Sequence, residues 1–323
     1  MRKFILAAAF LSCMTAMAAE KPVKDELVIK VGAYNVCTSD SRAKKIRNGE
    51  FKSTQRYWCN SADALGKMIA QLDCDVIGLV EVCDSIWAAS GNIDLKKKVA
   101  AARGDDDYEW ILYPNTVNRK ISYDSAIGYK KSRFKKMESG IFWMTETPDV
   151  PKAAPGAPKG TSRPAVWAKF KELSTGTVFL FYTTHLVLGS MHKDGGNEYN
   201  ATHFMKVAQG DFQEKYPSIV VGDFNCATGS EAYRIMTSGR WKDCFDTLVE
   251  EGAELSEETL RYGTCPSADE TYYYKSRIDH IMAWKFVPMY FDVVRTKLPT
   301  ADGSLHYPSD HCPVVAYLKL PIL

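Results

Sequence analysis

Six stretches of this chain place an acid, an amide or a histidine where a β-rich apolar run stops or starts. Ala33-Tyr34-Asn35 ends one run in an amide, and Asp75 to Glu81 (DVIGLVE) ends another in an acid. His185 follows the run Phe179 to Thr184. Val-Val-Gly-Asp223-Phe-Asn225 closes a further run with a carboxylate and an amide two residues apart. Period two puts Asp223 and Asn225 on the same side of an extended backbone. Arg277-Ile-Asp279-His280 opens one strand, and Ser309-Asp310-His311-Cys-Pro opens the last.

These residue types define a chemistry. Glu81, Asp310 and Asn35 offer hard oxygen ligands, which suit Mg²⁺ or Mn²⁺ rather than the Cys/His set that zinc prefers. Asp279 and His311 suit a carboxylate–imidazole pair, in which the acid fixes the tautomer and raises imidazole basicity. Ser309-Asp310-His311 superficially invites a Ser-His-Asp reading. Adjacent residues on an extended chain point to alternate faces, however, and no GxSxG elbow occurs. One strand-end acid is ordinarily a loop residue or a cap. Six such places in one chain point to a shared site, because open sheets bind ligands at strand ends.

The elements that must position them alternate short β-rich runs with longer helical segments. Strands are expected at Leu27–Tyr34, Val76–Val80, Tyr108–Tyr113, Ser125–Tyr129, Ala165–Phe170, Val178–Thr184, Ser218–Gly222, Arg277–Ala283 and Val314–Leu318. Helices are expected at Gln55–Leu72, Asn92–Ala101, Tyr199–Lys215 and Ser230–Thr237. Strands spread along the chain and mixed with helices imply an α/β fold. Its form is a layered sandwich of two mixed β-sheets packed face to face, with helices outside. Pro148–Pro164 and the Gly-rich Met191–Asn200 read as long loops.

With these motifs in hand, the sequence resembles the endonuclease/exonuclease/phosphatase superfamily. The matching stretches are GAYNV, DVIGLVEV, SRPAVWAKF, TTHL, VVGDFN, SRIDHIM and PSDHCPV, in family order from about Asn35 to Val314. The segment SGIFWMTETPDVP further resembles a secreted bacterial branch. The resemblance implies a DNase-like fold and a divalent-metal-dependent phosphoesterase acting on a phosphodiester or phosphomonoester through an activated water. It implies Glu81 as the principal metal-ligand acid, supported by Asn35 and Asp310. It implies Asp223 as the acid that orients or deprotonates the water, with Asn225 beside it contacting phosphate. His311 matches the terminal histidine and Asp279 its partner acid. His185 and Arg163 match residues that the DNase-like branch places on the phosphate or leaving group.

The physics of phosphoryl hydrolysis fits these roles. It needs charge neutralisation on the equatorial oxygens, an in-line water and help for the leaving oxygen. The metal and Arg163 suit the first, Asp223 or His311 the second, and His185 or the metal the third. Most relatives carry Gln before the metal-binding acid, whereas this chain has Val80, which cannot hydrogen-bond its neighbours. Cys226 and Cys312 directly follow site residues and Cys37 lies two past Asn35, so they read either as inert packing residues or as thiols that pair or react near the site. Tyr182 occupies a position where the resembling abasic-site endonucleases place a phosphate-contacting tyrosine, against which stands its reading as a core aromatic of the Phe-Leu-Phe-Tyr strand. Tyr272-Tyr273-Tyr274 and the pair His192-Lys193 read as either substrate-facing or solvated loop residues.

Arg2 and Lys3, the apolar run Phe4 to Leu11 and Ala16-Met17-Ala18 form a signal-peptide pattern over residues 1–18. One catalytic domain is then expected over 19–323, exported to the periplasm or outside the cell, with lipidation at Cys13 the minor alternative. The run is too short for a span, so no transmembrane segment is expected. Removing residues 1–18 takes the formal charge from +2 to 0, short of the basic footprint of a strong nucleic-acid binder. A small or lipid-linked phosphoester is therefore favoured, with a secreted endonuclease as the alternative and a non-catalytic binding protein of this fold behind both. Nucleic acid is possible but not required, and a monomer is expected. Eight of the nine cysteines survive cleavage, and an exported chain permits disulfides. Their spacing contains no Cys/His cluster of the zinc-site kind.

Overall fold

The computed structural model describes residues 26–36, 62–82, 95–117, 120–122, 124–153, 162–189, 196–210, 215–266, 275–299 and 303–321. The first strands are β1 (Glu26–Asn35), β2 (Val76–Val80), β3 (Tyr108–Leu112), β4 (Asn115–Val117), β5 (Lys120–Ser122) and β6 (Ser125–Lys130). There follow β7 (Phe134–Trp143), β8 (Pro164–Glu172), β9 (Val178–His185), β10 (Ser218–Asp223) and β11 (Lys242–Asp243). The last are β12 (Asp279–Trp284), β13 (Val287–Val293), β14 (Leu298–Pro299), β15 (Leu305–His306) and β16 (Val314–Pro321). The helices are α1 (Ala62–Leu72), α2 (Leu95–Arg103), α3 (Gly196–Ala208), α4 (Glu231–Thr237), α5 (Cys244–Glu250) and α6 (Glu257–Arg261).

Two six-stranded mixed sheets result, ordered β13-β16-β1-β2-β6-β3 and β11-β12-β10-β9-β8-β7, beside two small two-stranded ribbons. Period-two alternation sorts each strand between layers. Ile29, Val31 and Ala33 of β1 meet Phe179 and Phe181 of β9 and Ile219 and Val221 of β10 in the core between the sheets. The alternate residues Ile77 and Leu79 of β2 face outward onto Leu65, Met68 and Ile69 of α1. On the other side, Leu180 and Tyr182 of β9 and Val220 of β10 pack against Phe204 of α3 and Trp241. Each such fully buried side chain contributes about 1.5–3 kcal/mol. The layering is helix, sheet, sheet, helix, as the alternation implies.

The two sheets come into close contact at Gly78. A Cβ there would sit 2.4 Å from Val221 Cγ2 and 2.6 Å from Thr183 Oγ1, so only glycine fits. Tyr182 is fully buried between Phe204 and Trp241 and is a core aromatic.

Several expected boundaries move. The first helix is described from Ala62, and residues 55–61 lie outside the described region. The segment read as the Gly-rich loop Met191–Asn200 becomes helix from Gly196, and that helix ends at Ala208 rather than at Lys215. The strand expected from Arg277 begins at Asp279. Strands β7, β11 and β13, which the pattern does not announce, are all sheet edges. No helix among the described residues is long and apolar enough to cross a membrane.

Candidate active site

The strand registers bring the polar strand ends to one edge of the sandwich. In the first sheet β1 and β2 run parallel with Asn35 opposite Val80, so Glu81 comes immediately after. Antiparallel β6 starts at Ser125, opposite Val80, which delivers Asp124 to the same edge. In the second sheet His185 lies opposite Asp223 across the parallel pair β9 and β10. Asp279 lies opposite Asp223 across the antiparallel pair β10 and β12. Ala165 pairs with Thr184, which places Arg163 just ahead of β8 at this edge. The loop before β16 crosses the gap, and its Ser309 hydroxyl donates to the Asn35 carbonyl at 2.6 Å.

Asp223, only 2% exposed, is the centre of the arrangement. Its Oδ1 accepts the Asn225 backbone N–H at 2.8 Å, and its Oδ2 accepts Asn35 Nδ2 at 3.0 Å. The Oδ2 atom also lies 3.5 Å from His185 Nε2 and 3.7 Å from His311 Nε2. Asn35 Nδ2 is in turn 3.3 Å from Glu81 Oε1. Local backbone strain marks the same place: Glu81 has φ 58° and Asn225 φ 47°. Asn visits this left-handed region readily, whereas Glu pays about 1–2 kcal/mol. Gly222, at φ 143°, supplies the turn into Asp223, since a Cβ there would collide with the Thr184 carbonyl.

Each histidine has a partner that fixes it. His311 Nδ1 lies 2.8 Å from Asp279 Oδ2, which leaves Nε2 facing Asp223. Burial works against a charged ring, yet the Asp279 carboxylate outweighs it and raises the His311 imidazole well above its ordinary pKa. His185 Nδ1 lies 2.6 Å from Arg163 Nη1. A guanidinium can only donate, so Nδ1 accepts and the ring proton sits on Nε2, toward Asp223. Arg163 Nη1 also donates to Asp124 Oδ1 at 2.5 Å. Burial would raise the Asp124 carboxyl, but the Arg163 guanidinium beside it brings it down to about 2.

Of the residues singled out in the sequence, Asn35, Glu81, Asp223, Asn225, His185, Arg163, Asp279 and His311 thus join one contact network. Asp310 sits half-buried in the loop between Ser309 and His311. Three contributors carried no expectation. Asp124 could have been found by the same strand-end rule. Asn197 donates to the Asn225 carbonyl at 2.8 Å from α3. His280, next to Asp279, is a buried strut whose Nδ1 lies 2.8 Å from Asp243 Oδ2 and whose Nε2 lies 3.0 Å from the Cys226 carbonyl. It thereby holds the turn that follows Asn225.

Asn35 and Glu81, in contact with each other, carry oxygen donors of the kind a hard divalent cation takes, and Asp310 lies in the loop beside His311. Glu81 and Asp223 flank one amide, and Asp124, Asp279 and Asp310 belong to the same edge, so the site concentrates negative charge around oxygen donors. A small cation that keeps several waters needs only one or two carboxylates. The cysteines divide. Burial pushes the Cys226 and Cys312 thiols up to about 12, which makes them inert packing residues. Cys74, Cys226, Cys244, Cys265 and Cys312 are all free, while Cys37, Cys59 and Cys83 lie outside the described residues. So do His192, Lys193, Tyr272, Tyr273 and Tyr274.

Comparison with known proteins agrees with this fold. An endonuclease/exonuclease/phosphatase family protein from Bacteroides thetaiotaomicron superposes with a TM-score of 0.69 at 23% identity, covering 93% of this chain and all (100%) of that one. A mannosyl-6-phosphatase from the same species gives 0.68 at 23% identity, over 90% of this chain and 99% of its own. TDP2 of D. rerio, complexed with a single-stranded DNA product, gives 0.57 at 18% identity, over 90% and 98%. No curated protein matches the chain by sequence. Residues 32–311 match the profile of the Endonuclease/Exonuclease/phosphatase family, and the chain belongs to that family.

Proposed function

We propose that this protein is a divalent-metal-dependent hydrolase of small phosphoesters, exported after cleavage of residues 1–18. The observation that carries the reading is the convergence on Asp223 of Asn35 from one sheet and of His185 and His311 at the same edge. In this reading Asn35, Glu81 and Asp310 hold Mg²⁺ or Mn²⁺, which supplies charge neutralisation on the phosphoryl oxygens and help for the leaving oxygen. Asp223, steadied by Asn35 and the Asn225 N–H, orients the attacking water and takes its proton. His311, held by Asp279, donates from Nε2 to a phosphoryl oxygen. His185 Nε2–H and Arg163 line the opposite side and bind the remaining oxygens, and Asn225 completes the phosphate contacts. The formal charge of 0 after residue 18 favours a small or lipid-linked substrate over long nucleic acid.

The test uses residues 19–323 with a chromogenic phosphomonoester and the matching phosphodiester, with Mg²⁺ or Mn²⁺ and then with chelator. Metal-dependent turnover, abolished in Asp223→Ala and His311→Ala, is expected, and the faster ester names the bond cleaved. Turnover that survives chelation and both substitutions would place the chemistry elsewhere.

A further inference from the structure

The fold creates a cluster that the sequence spacing hides. Among the described residues, one group of three His, Cys, Asp or Glu side chains has its donor atoms all within 4.8 Å of one another: Cys265, Asp279 and His311. Cys265 Sγ lies 3.7 Å from His311 Nδ1 and 3.8 Å from Nε2, although 46 residues separate the two in the chain. Thr264 assembles the three segments. Its carbonyl accepts the Cys312 N–H at 2.7 Å, and its hydroxyl accepts the N–H groups of Ile278 and Asp279 at 3.3 and 3.4 Å.

The donor set is not the hard-oxygen set of the catalytic cation. Thiolate, imidazole and carboxylate together select a thiophilic divalent ion. Tetrahedral zinc, with Zn–S about 2.3 Å and Zn–N about 2.0–2.1 Å, holds sulfur and nitrogen roughly 3.5 Å apart, close to the spacing already present. A second observation points the same way. Asp279 Oδ1 is buried and has no hydrogen-bond partner among the described residues, an uncommon state for a carboxylate oxygen. Cys265 is also set apart from the other described cysteines, being only partly buried where they are fully so.

We propose that Cys265, Asp279 and His311 form a site for a thiophilic divalent cation of the Zn²⁺ class, whose occupancy removes His311 from phosphoester cleavage and so inhibits the enzyme. On binding, the Cys265 S–H bond breaks, the sulfur bonds the metal, and the proton passes to solvent. The His311 ring also gives up one proton to solvent, and the neutral imidazole turns about its Cβ–Cγ bond to aim the freed nitrogen lone pair at the ion, while the Asp279 carboxylate exchanges its hydrogen bond to the ring for the metal. Mg²⁺ does not compete, because it has little affinity for sulfur. The inhibitory consequence rests on the role proposed for His311, whereas the binding site stands without it.

Two readouts separate those levels. Cd²⁺ titrated into the full chain in excess Mg²⁺ is expected to give a thiolate-to-metal absorption at about one equivalent. Zn²⁺ is expected to slow iodoacetamide labelling of Cys265, mapped by mass spectrometry, by about tenfold or more. That labelling needs no variant, so it tests the site even if Cys265→Ser fails to fold. Cys265→Ser is expected to lose the absorption, keep its Mg²⁺-supported turnover, and tolerate Zn²⁺ at least about tenfold better than the parent. Unprotected labelling of Cys265, or an absorption unchanged in Cys265→Ser, overturns the site. Binding without inhibition overturns the switch and leaves the site. Absent turnover with intact binding faults the proposed function instead.

Discussion

Asn35 Nδ2 donates to Asp223 Oδ2 across 3.0 Å, so one buried amide joins the end of β1 in one sheet to the end of β10 in the other. The same nitrogen lies 3.3 Å from Glu81 Oε1. Asn35→Ala leaves the buried Asp223 carboxylate short of a donor, which costs about 1–3 kcal/mol in urea unfolding. It also frees Asp223 to turn from its water, and kcat is expected to fall about 10²-fold or more. Asn35→Asp places a third carboxylate beside the other two and is expected to be worse on both measures. A stability loss with unchanged kcat would confine Asn35 to a structural role.

Glu81 combines a strained backbone with the proposed cation site, so stability and function part company there. Glu81→Gly relieves the left-handed φ of 58°, a gain of about 1 kcal/mol in thermal unfolding with chelator present. Mg²⁺ or Mn²⁺ raises the Tm of the parent protein by mass action but leaves that of Glu81→Gly unmoved. Turnover in the variant drops to the level of the chelated parent. An equal metal-induced rise in both proteins would assign the cation to other ligands.

The contrast between legible and illegible features has a physical cause. Asn35, Glu81, His185, Asp223, Asp279 and His311 were readable because each sits where an apolar run meets polar residues, and strand register then carries the ends to one edge. The hidden strands are edges. In β7 the run Lys135 to Glu138 is exposed, and β13 alternates imperfectly around a register shift between Pro288 and Tyr290. Edge strands tolerate polar residues and irregularity on their open side, so periodicity fades. The first turn of α3, ahead of the expected Tyr199, was hidden by Gly196-Asn197, and Asn200 ties the helix down by accepting the Val187 N–H at 3.1 Å and donating to the Met144 carbonyl at 3.2 Å. The proximity of Cys265 and His311 is wholly tertiary and leaves no trace in spacing.

The buried Asp243–His280–Arg277 group sets an acid limit on stability. Burial opposes ionisation of Asp243, but the His280 hydrogen bond and the Arg277 charge hold its carboxyl below the usual 3.8. A depressed folded pKa contributes stability that is present above the unfolded value and is lost as pH falls through the folded one. Asp243 also caps α5, accepting the Phe245 and Asp246 N–H groups at 2.9 and 3.2 Å. Asp243→Asn is expected to cost about 3–5 kcal/mol at neutral pH. The gap from the parent should narrow below about pH 4, as the parent carboxyl protonates. Unfolding curves across that range check it, and a gap independent of pH would assign the loss to the cap alone.

Arg163 is gripped from two sides, by Asp124 Oδ1 at 2.5 Å and by His185 Nδ1 at 2.6 Å, and that grip decides which way His185 points its proton. Asp124→Ala strands the Arg163 charge in a partly buried place, so about 3–5 kcal/mol is expected to be lost in denaturant unfolding. Arg163→Lys keeps the charge but replaces the rigid planar guanidinium, whose single Nη1 donates to both partners, with a freely turning ammonium, so its unfolding cost is smaller while kcat falls about tenfold or more. With the Nδ1 donor gone, His185 is free to move its proton to Nδ1 and present a lone pair to Asp223 and the phosphate. The Nε2–H resonance of His185 is therefore expected to be slow-exchanging in the parent protein and lost in Arg163→Lys. A variant that retains that resonance and full kcat would mean that the strand ends alone orient the ring.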